Sequence, residues 1–405
     1  DRLEVYLGSS LVIGTSITLL FTVILAIIVY FIGYSAEITQ FIFLALAIAV
    51  LPQVEGFLFE AAIIGIERME WVVMVRFPLT ILRVGASLVL LELGFGIRIL
   101  FILLGIYHAL IVLAYYIVLK RSIPGFKLRP EWTKVRFLFF LTLPFAITTG
   151  FTEIFGQVDK IILSRFQNLQ YVGIYATGIL LIQLIVMLAP AVMDSLFPSL
   201  SRVFIQSQAR FDQLIVLLSK ALALIFFPIT ILVIGFAEFI ILFGFGNEYV
   251  DSVLVLQIAS LIIVPSYVSR LWYRATLASG NEHKGIAVAI VGGIAQVGLN
   301  FLLIPRFGFL GATYAWCGTV LVRTIHNLYN ANSIVQISLG RTILKILGCI
   351  GVGGGAFWVF FMRDQTFLAI GLSLFIFYAA LFVSKTIEMD DFNNLELLQK
   401  RKSQS

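Results

Sequence analysis

The chain has 405 residues, of which 60% are hydrophobic and 12% charged, against roughly 45–50% and about 25% in soluble domains. With a mean hydropathy of +1.03 it cannot cover its surface with polar groups in water, which excludes a soluble nuclear, cytosolic or secreted protein and a disordered one. The net charge of +6, from 28 Lys and Arg against 22 Asp and Glu, would suggest nucleic acid in a soluble protein. In a chain this apolar it reads as a topology signal, and no nucleic-acid partner is expected.

A membrane helix needs about 20 mostly apolar residues. Twelve such segments follow one another. The first six run from Leu7 to Phe31, Ile38 to Ile64, Trp71 to Leu93, Ile97 to Leu119, Val135 to Phe155 and Val172 to Phe197. The next six run from Leu214 to Ile234, Val250 to Leu277, Gly285 to Ile304, Phe309 to Ile325, Ile343 to Phe361 and Thr366 to Lys385. The runs are continuous rather than alternating, which argues for helices and against a barrel. With the start of the chain in the cytoplasm, about 18 basic residues fall on the cytoplasmic side, 5 on the other and 5 inside helices, so the positive-inside rule places both termini in the cytoplasm.

The longest basic loop, residues 121–136, carries Pro124, Gly125 and Pro130 and is the expected linker between two lobes. The expected organisation is an N-terminal lobe (1–120), this loop, a six-helix lobe (137–333), a terminal helix pair (334–386) and a cytoplasmic tail (387–405). A weak internal repeat supports it. Gly85 and Gly298 each open an apolar helix end, a short turn containing Phe-Gly, and a further helix. If segments one to four match segments seven to ten, two helices are missing before Asp1, and the full protein has fourteen in a parallel repeat.

Most enzyme signatures are absent. There is no Walker A sequence and no HExxH, and His108, His283 and His326 are far apart. Gly351-Val-Gly-Gly-Gly-Ala356 resembles a dinucleotide fingerprint, but it lies inside an apolar helix rather than after a strand. Gly351 and Gly355 are expected to admit a neighbouring helix instead. Cys317 and Cys349 read as small core residues, and no cofactor or metal is expected. Pro52, Pro78, Pro144, Pro190, Pro228 and Pro265 fall within apolar segments, where each is expected to kink a helix.

The chemistry left is charge inside the membrane, which costs roughly 3 kcal/mol on insertion scales and tends to face a cavity or a partner. Arg76 and Arg83 are seven apart, and Arg270 and Arg274 four apart, so each pair shares a helix face. Guanidinium groups bind phosphate bidentately, so an anionic head group such as a pyrophosphate suits a cavity lined by these four residues. The bland alternative is that some of them snorkel or pair with Glu55, Glu60 or Asp194. Glu55 and Glu60 are five apart and do not share a face. Glu60 is a candidate ion-pair partner and Glu55 a proton or cation site; Asp194 is a candidate coupling group. Asp159 beside Lys160 reads as an interfacial ion pair.

Two stretches carry a family resemblance. One is Val158-Asp159-Lys160-Ile161-Ile162-Leu163-Ser164 followed by Val172-Gly173-Ile174-Tyr175. The other runs Leu299-Asn300-Phe301-Leu302-Leu303-Ile304-Pro305-Arg306-Phe307-Gly308-Phe309-Leu310-Gly311-Ala312. With these the chain resembles Wzx-type polysaccharide or lipid-linked oligosaccharide flippases of the multidrug/oligosaccharidyl-lipid/polysaccharide (MOP) exporter superfamily. The resemblance implies an all-α integral membrane bundle of two pseudo-symmetric lobes around a cationic central cavity. It also implies alternating access, and a polyprenyl-(pyro)phosphate-linked glycan moved from the cytoplasmic to the outer leaflet. Other expected partners are membrane lipids and the polysaccharide polymerase or glycosyltransferases of the same pathway. A cation-coupled drug or metabolite antiporter of the same superfamily calls for a buried acidic cluster, whereas buried arginine predominates here. A membrane glycosyltransferase calls for a sizeable outer loop, and the outer loops are short.

Overall fold

The computed structural model describes residues 2–32, 49–96, 98–335, 339–361 and 365–384. Among them every regular element is helical. Eight helices are long and apolar enough to cross a membrane, or nine if one bent pair counts as a single span. The chain is therefore a multi-pass membrane protein. It divides into two compact units, Asp1–Thr149 and Gly150–Ser405.

Unit 1 holds α1 (Arg2–Ile32), α2 (Leu51–Gly65), α3 (Met69–Glu92), α4 (Arg98–Ser122) and the first part of α5 (Trp132–Phe166). The first part of the segment expected from Ile38 lies outside the described residues. Pro52 is not a kink but stands in the first turn of α2, where its missing N–H costs nothing. The unit is packed around Phe59 and Ile63 of α2 and Ile111, Tyr115 and Leu119 of α4. In contrast, α3 buries none of its residues. An apolar helix so exposed is stable only where lipid replaces water. The turn from α3 into α4 is made at Gly94, with φ +82°, a conformation that costs glycine little.

The 121–136 loop is not a free linker. Its backbone is tied to α1: Lys127 N–H donates to Glu4 Oε1 at 2.7 Å and Glu131 N–H to Ser9 Oγ at 3.2 Å. Gly8 lets the two backbones meet, since a Cβ there would lie 2.9 Å from the Pro130 nitrogen. The division between the units falls further on, within α5.

Unit 2 continues with α6 (Leu169–Val186), α7 (Leu188–Gln206), α8 (Gln208–Gly235), α9 (Ala237–Phe245), α10 (Ser252–Ser260), α11 (Ile263–Ala278), α12 (Glu282–Asn332), α13 (Leu339–Phe361) and α14 (Thr366–Val383). Val172 to Phe197 stays within a single span, Leu169–Gln206, with only a turn at Met187 between α6 and α7. Val250 to Leu277 divides into α10 and α11, bent by 41°. Pro190 and Pro265 stand in the first turn after each interruption, where the missing N–H breaks the hydrogen-bond ladder, and at Pro265 the 41° bend is the expected kink. Pro78 and Pro228 do lie inside α3 and α8.

α12 bends at Gly308, where φ is +58° and ψ −132°. Its 51 residues would extend roughly 75 Å if straight, far beyond one bilayer. The bend separates the expected spans Gly285–Ile304 and Phe309–Ile325. Phe309 N–H, freed by the bend, donates to Gln167 Oε1 at 3.1 Å. Gly311 lies against the Leu303 carbonyl with no room for a Cβ. The Pro-x-x-Gly-x-x-Gly spacing of the second motif is thus the recipe for this bend.

The terminal pair α13 and α14 packs on α8 through Phe227 and Phe377, whose ring centroids are 4.1 Å apart. The close approach uses Gly353, where a Cβ would sit 3.0 Å from Phe377 Cβ. It does not use Gly351 or Gly355, beside which no described atom lies within 4 Å. The expectation named the right helix and the wrong face of it.

Candidate functional site

The arginines of α11 are held out by everything else the helix does. Tyr267 donates its hydroxyl to the Ile185 carbonyl of α6 at 2.7 Å. Trp272 Nε1 donates to Ser219 Oγ of α8 at 3.1 Å. Ser269 Oγ accepts from Asn327 Nδ2 of α12 at 2.9 Å. These three bonds, with buried Ile263, Leu271 and Ala275, fix the rotation of α11 about its axis. Arg270 is left exposed and Arg274 half-buried, one turn apart.

Arg274 forms an ion pair with Asp194 of α7, and its guanidinium carbon lies 5.6 Å from the Phe197 ring centroid. Asp194 also acts electrostatically on Arg270. Arg270 has a second cationic neighbour that sequence reasoning left out of the site, Arg323 of α12. The Arg323 side chain lies across Gly292, where a Cβ would be 2.8 Å from its Cγ. Arg274 and Asp194 are thus a pair, with Arg270 within the field of both and Arg323 near Arg270, so positive charge outnumbers negative among these four side chains. Arg323 was legible as a charge inside an apolar segment. Its nearness to Arg270, fifty-three positions earlier, was not.

The arginines of unit 1 are differently placed. Arg76 Nη1 lies 3.1 and 3.2 Å from the two oxygens of Glu60 on α2, and its guanidinium carbon is 5.6 Å from the Phe57 ring. Arg83 lies over the Tyr107 ring of α4 at 4.7 Å. Between them Thr80 is 2.9 Å from the Tyr107 hydroxyl. Here one arginine is neutralised by a carboxylate and the other is occupied by an aromatic face. The bland pairing with Glu60 is the arrangement the structure has for Arg76, as the pairing with Asp194 is for Arg274.

Two candidate carboxylates stand elsewhere. Asp159 is 3% exposed. It accepts a short hydrogen bond from the Tyr175 hydroxyl and one of 2.8 Å from the Lys160 backbone N–H. The interfacial ion pair with Lys160 is replaced by a bond from the Lys160 ammonium to Gln157 Oε1 at 2.9 Å. The Asp of the first motif and the Tyr that follows it are thus a bonded pair linking α5 to α6. Glu55 lines a cleft in unit 1 and belongs to neither arginine face. Among the described residues no three His, Cys, Asp or Glu side chains are grouped as a metal site would require.

The family described as polysaccharide biosynthesis protein matches residues 3–254 of this chain. A solved structure named "Lipid II flippase MurJ, inward closed conformation" resembles it with a TM-score of 0.71 at 16% sequence identity, covering 95% of this chain and 85% of that one. At that identity the likeness establishes the fold, an all-α bundle of membrane helices. No curated protein sequence matches the chain. The family match takes in 252 of 405 residues, and the chain belongs to the polysaccharide biosynthesis protein family.

Proposed function

We propose that the protein is a flippase that carries a polyprenyl-(pyro)phosphate-linked oligosaccharide from the cytoplasmic to the outer leaflet by alternating access. The observation that carries the reading is the cationic excess on α11 and α12. Arg270 and Arg274 share Asp194, with Arg323 near Arg270, and charge inside a membrane protein calls for a counter-charge or a task. A pyrophosphate supplies that counter-charge, and paired guanidinium groups meet its oxygens bidentately. Family membership and the flippase-like fold point the same way.

In this reading the protein transports rather than catalyses, its partners are a lipid-linked glycan and the surrounding lipids, and it resides in the cell membrane with both termini cytoplasmic. Pathway polymerases and glycosyltransferases are its expected neighbours. Asp194, already bound to Arg274, gates access to that arginine, since head-group binding competes with the ion pair. Arg76 and Arg83 support the helix packing of unit 1 more than they bind substrate.

Reconstitution in liposomes with a fluorescent polyprenyl-pyrophosphate oligosaccharide tests the reading. Leaflet accessibility of the sugar is followed with time. The expected result is protein-dependent transfer that Arg270→Ala with Arg274→Ala abolishes while the protein remains monodisperse. Undiminished transfer in the double variant removes the arginine site. Absence of transfer by the wild type under every imposed ion gradient removes the flippase.

A further inference from the structure

Within unit 1 a cleft of about 360 Å³ is bounded by Leu11 of α1, Glu55 and Phe59 of α2, Leu113 and Tyr116 of α4, and Leu128 of the 121–136 loop. Its volume lies in the range of small-molecule sites. Among its lining residues Glu55 is the sole charge. Among the described residues no hydrogen bond or ion pair reaches that carboxylate, in contrast to Glu60 one turn further on, which Arg76 holds. A half-buried carboxylate on a membrane helix with no counter-charge among the described residues is costly, and a bound cation would offset that cost.

The surroundings define what kind of cation that is. Phe59 and Tyr116 meet edge to face, with centroids 6.3 Å apart and planes at 87°. An aromatic corner beside a carboxylate is a recognition set for a positive charge. The other walls are aliphatic, so the cation has to bring an apolar body with it. A small metal ion does not suit a site with a single carboxylate donor. A polyprenyl tail would leave Glu55 unbalanced. The wall is also preformed. Leu128 stands next to Lys127 and Arg129, whose backbone N–H groups are held by Glu4 at 2.7 and 3.5 Å.

We propose that this cleft is a binding site for a lipophilic organic cation, its charge against Glu55 and Tyr116 and its apolar body between α1 and α4. The site is distinct from the arginine face of unit 2 and takes a ligand of opposite charge. It does not depend on the flippase reading.

Ethidium, a fluorescent aromatic cation, is the probe, titrated by anisotropy into the protein in nanodiscs of zwitterionic lipid. Uncharged N-phenyl-1-naphthylamine is the control. The wild type is expected to bind ethidium saturably. Glu55→Gln is expected to weaken ethidium binding about tenfold or more and to leave the uncharged dye within about twofold. Leu113→Trp, which fills the cleft without touching the charge, is expected to weaken both. Should Glu55→Gln fail to fold, Leu113→Trp and Glu55→Asp carry the test, with binding lost in the first and kept in the second. Absence of saturable ethidium binding to the wild type, or ethidium affinity unchanged by Glu55→Gln, overturns the proposal.

Discussion

In unit 1 the Arg76 guanidinium lies 3.1 Å from a carboxylate oxygen of Glu60, and Arg83 is spent on the Tyr107 ring. In unit 2 Arg274 also has a carboxylate, Asp194, which acts on Arg270 as well, while Arg323 adds a further positive charge near Arg270. The two faces look alike in sequence, each an arginine pair on one side of a membrane helix. They differ in the ratio of charges that the neighbouring helices bring. Glu60 is the more buried partner, with 16% of its side chain exposed against 56% for Asp194. Unit 1 sets two arginines against one carboxylate, with the second arginine on an aromatic ring; unit 2 has the more exposed carboxylate and one arginine more nearby, and it is there that we propose the anion binds.

That difference can be broken in four ways. The largest effect is expected from Arg270→Ala with Arg274→Ala. Leaflet transfer of the lipid-linked glycan should fall about a hundredfold, on the loss of two charge-assisted contacts, with the unfolding temperature nearly unchanged. Arg76→Ala should do the reverse. It strands Glu60 and lowers stability by about 1–3 kcal/mol, read as a drop in unfolding temperature, and Glu60→Gln in the same protein should restore most of it. Tyr175→Phe should cost about 1 kcal/mol, because Asp159 keeps the Lys160 N–H; thermal unfolding measures it. The smallest effect is that of Asp194→Asn, which releases Arg274. Head-group affinity should rise by about two- to threefold, measured by titration of a short-chain prenyl pyrophosphate.

The helices were legible because lipid imposes a simple rule, about 20 apolar residues per crossing. An apolar run containing Pro190 or Pro265 reads as one kinked span; the first is one span with a turn at Met187 and the second is bent by 41° just ahead of its proline, whereas Pro52 stands at the start of its helix. Composition cannot distinguish a proline inside a helix from one at its first turn. Arg270 and Arg274 were found by a four-residue spacing that local geometry guarantees. Arg323 was not, because its approach to Arg270 depends on how α11 packs on α12, fixed by contacts such as Ser269 to Asn327. The same holds for Glu60 and Arg76, whose encounter needs the α2–α3 turn. Asp159 was picked out as a charge and misread. Its partner is the tyrosine sixteen residues on, and a buried hydrogen bond between helices leaves no local periodicity to read. The glycines of α13 show the limit on a finer scale. The cluster marked the right helix, but only the partner's Phe377 shows that Gly353 is the one in contact.

The central claim is that unit 2, and not unit 1, holds the anionic head group. It is tested most directly by calorimetric titration of a short-chain prenyl-pyrophosphate disaccharide into the wild type, Arg270→Ala, and Arg76→Ala combined with Glu60→Gln so that no carboxylate is stranded in unit 1. The account predicts affinity weakened about tenfold or more by Arg270→Ala and within about twofold of its parent in Arg76→Ala. Equal losses in both, or a loss confined to Arg76→Ala, would contradict it.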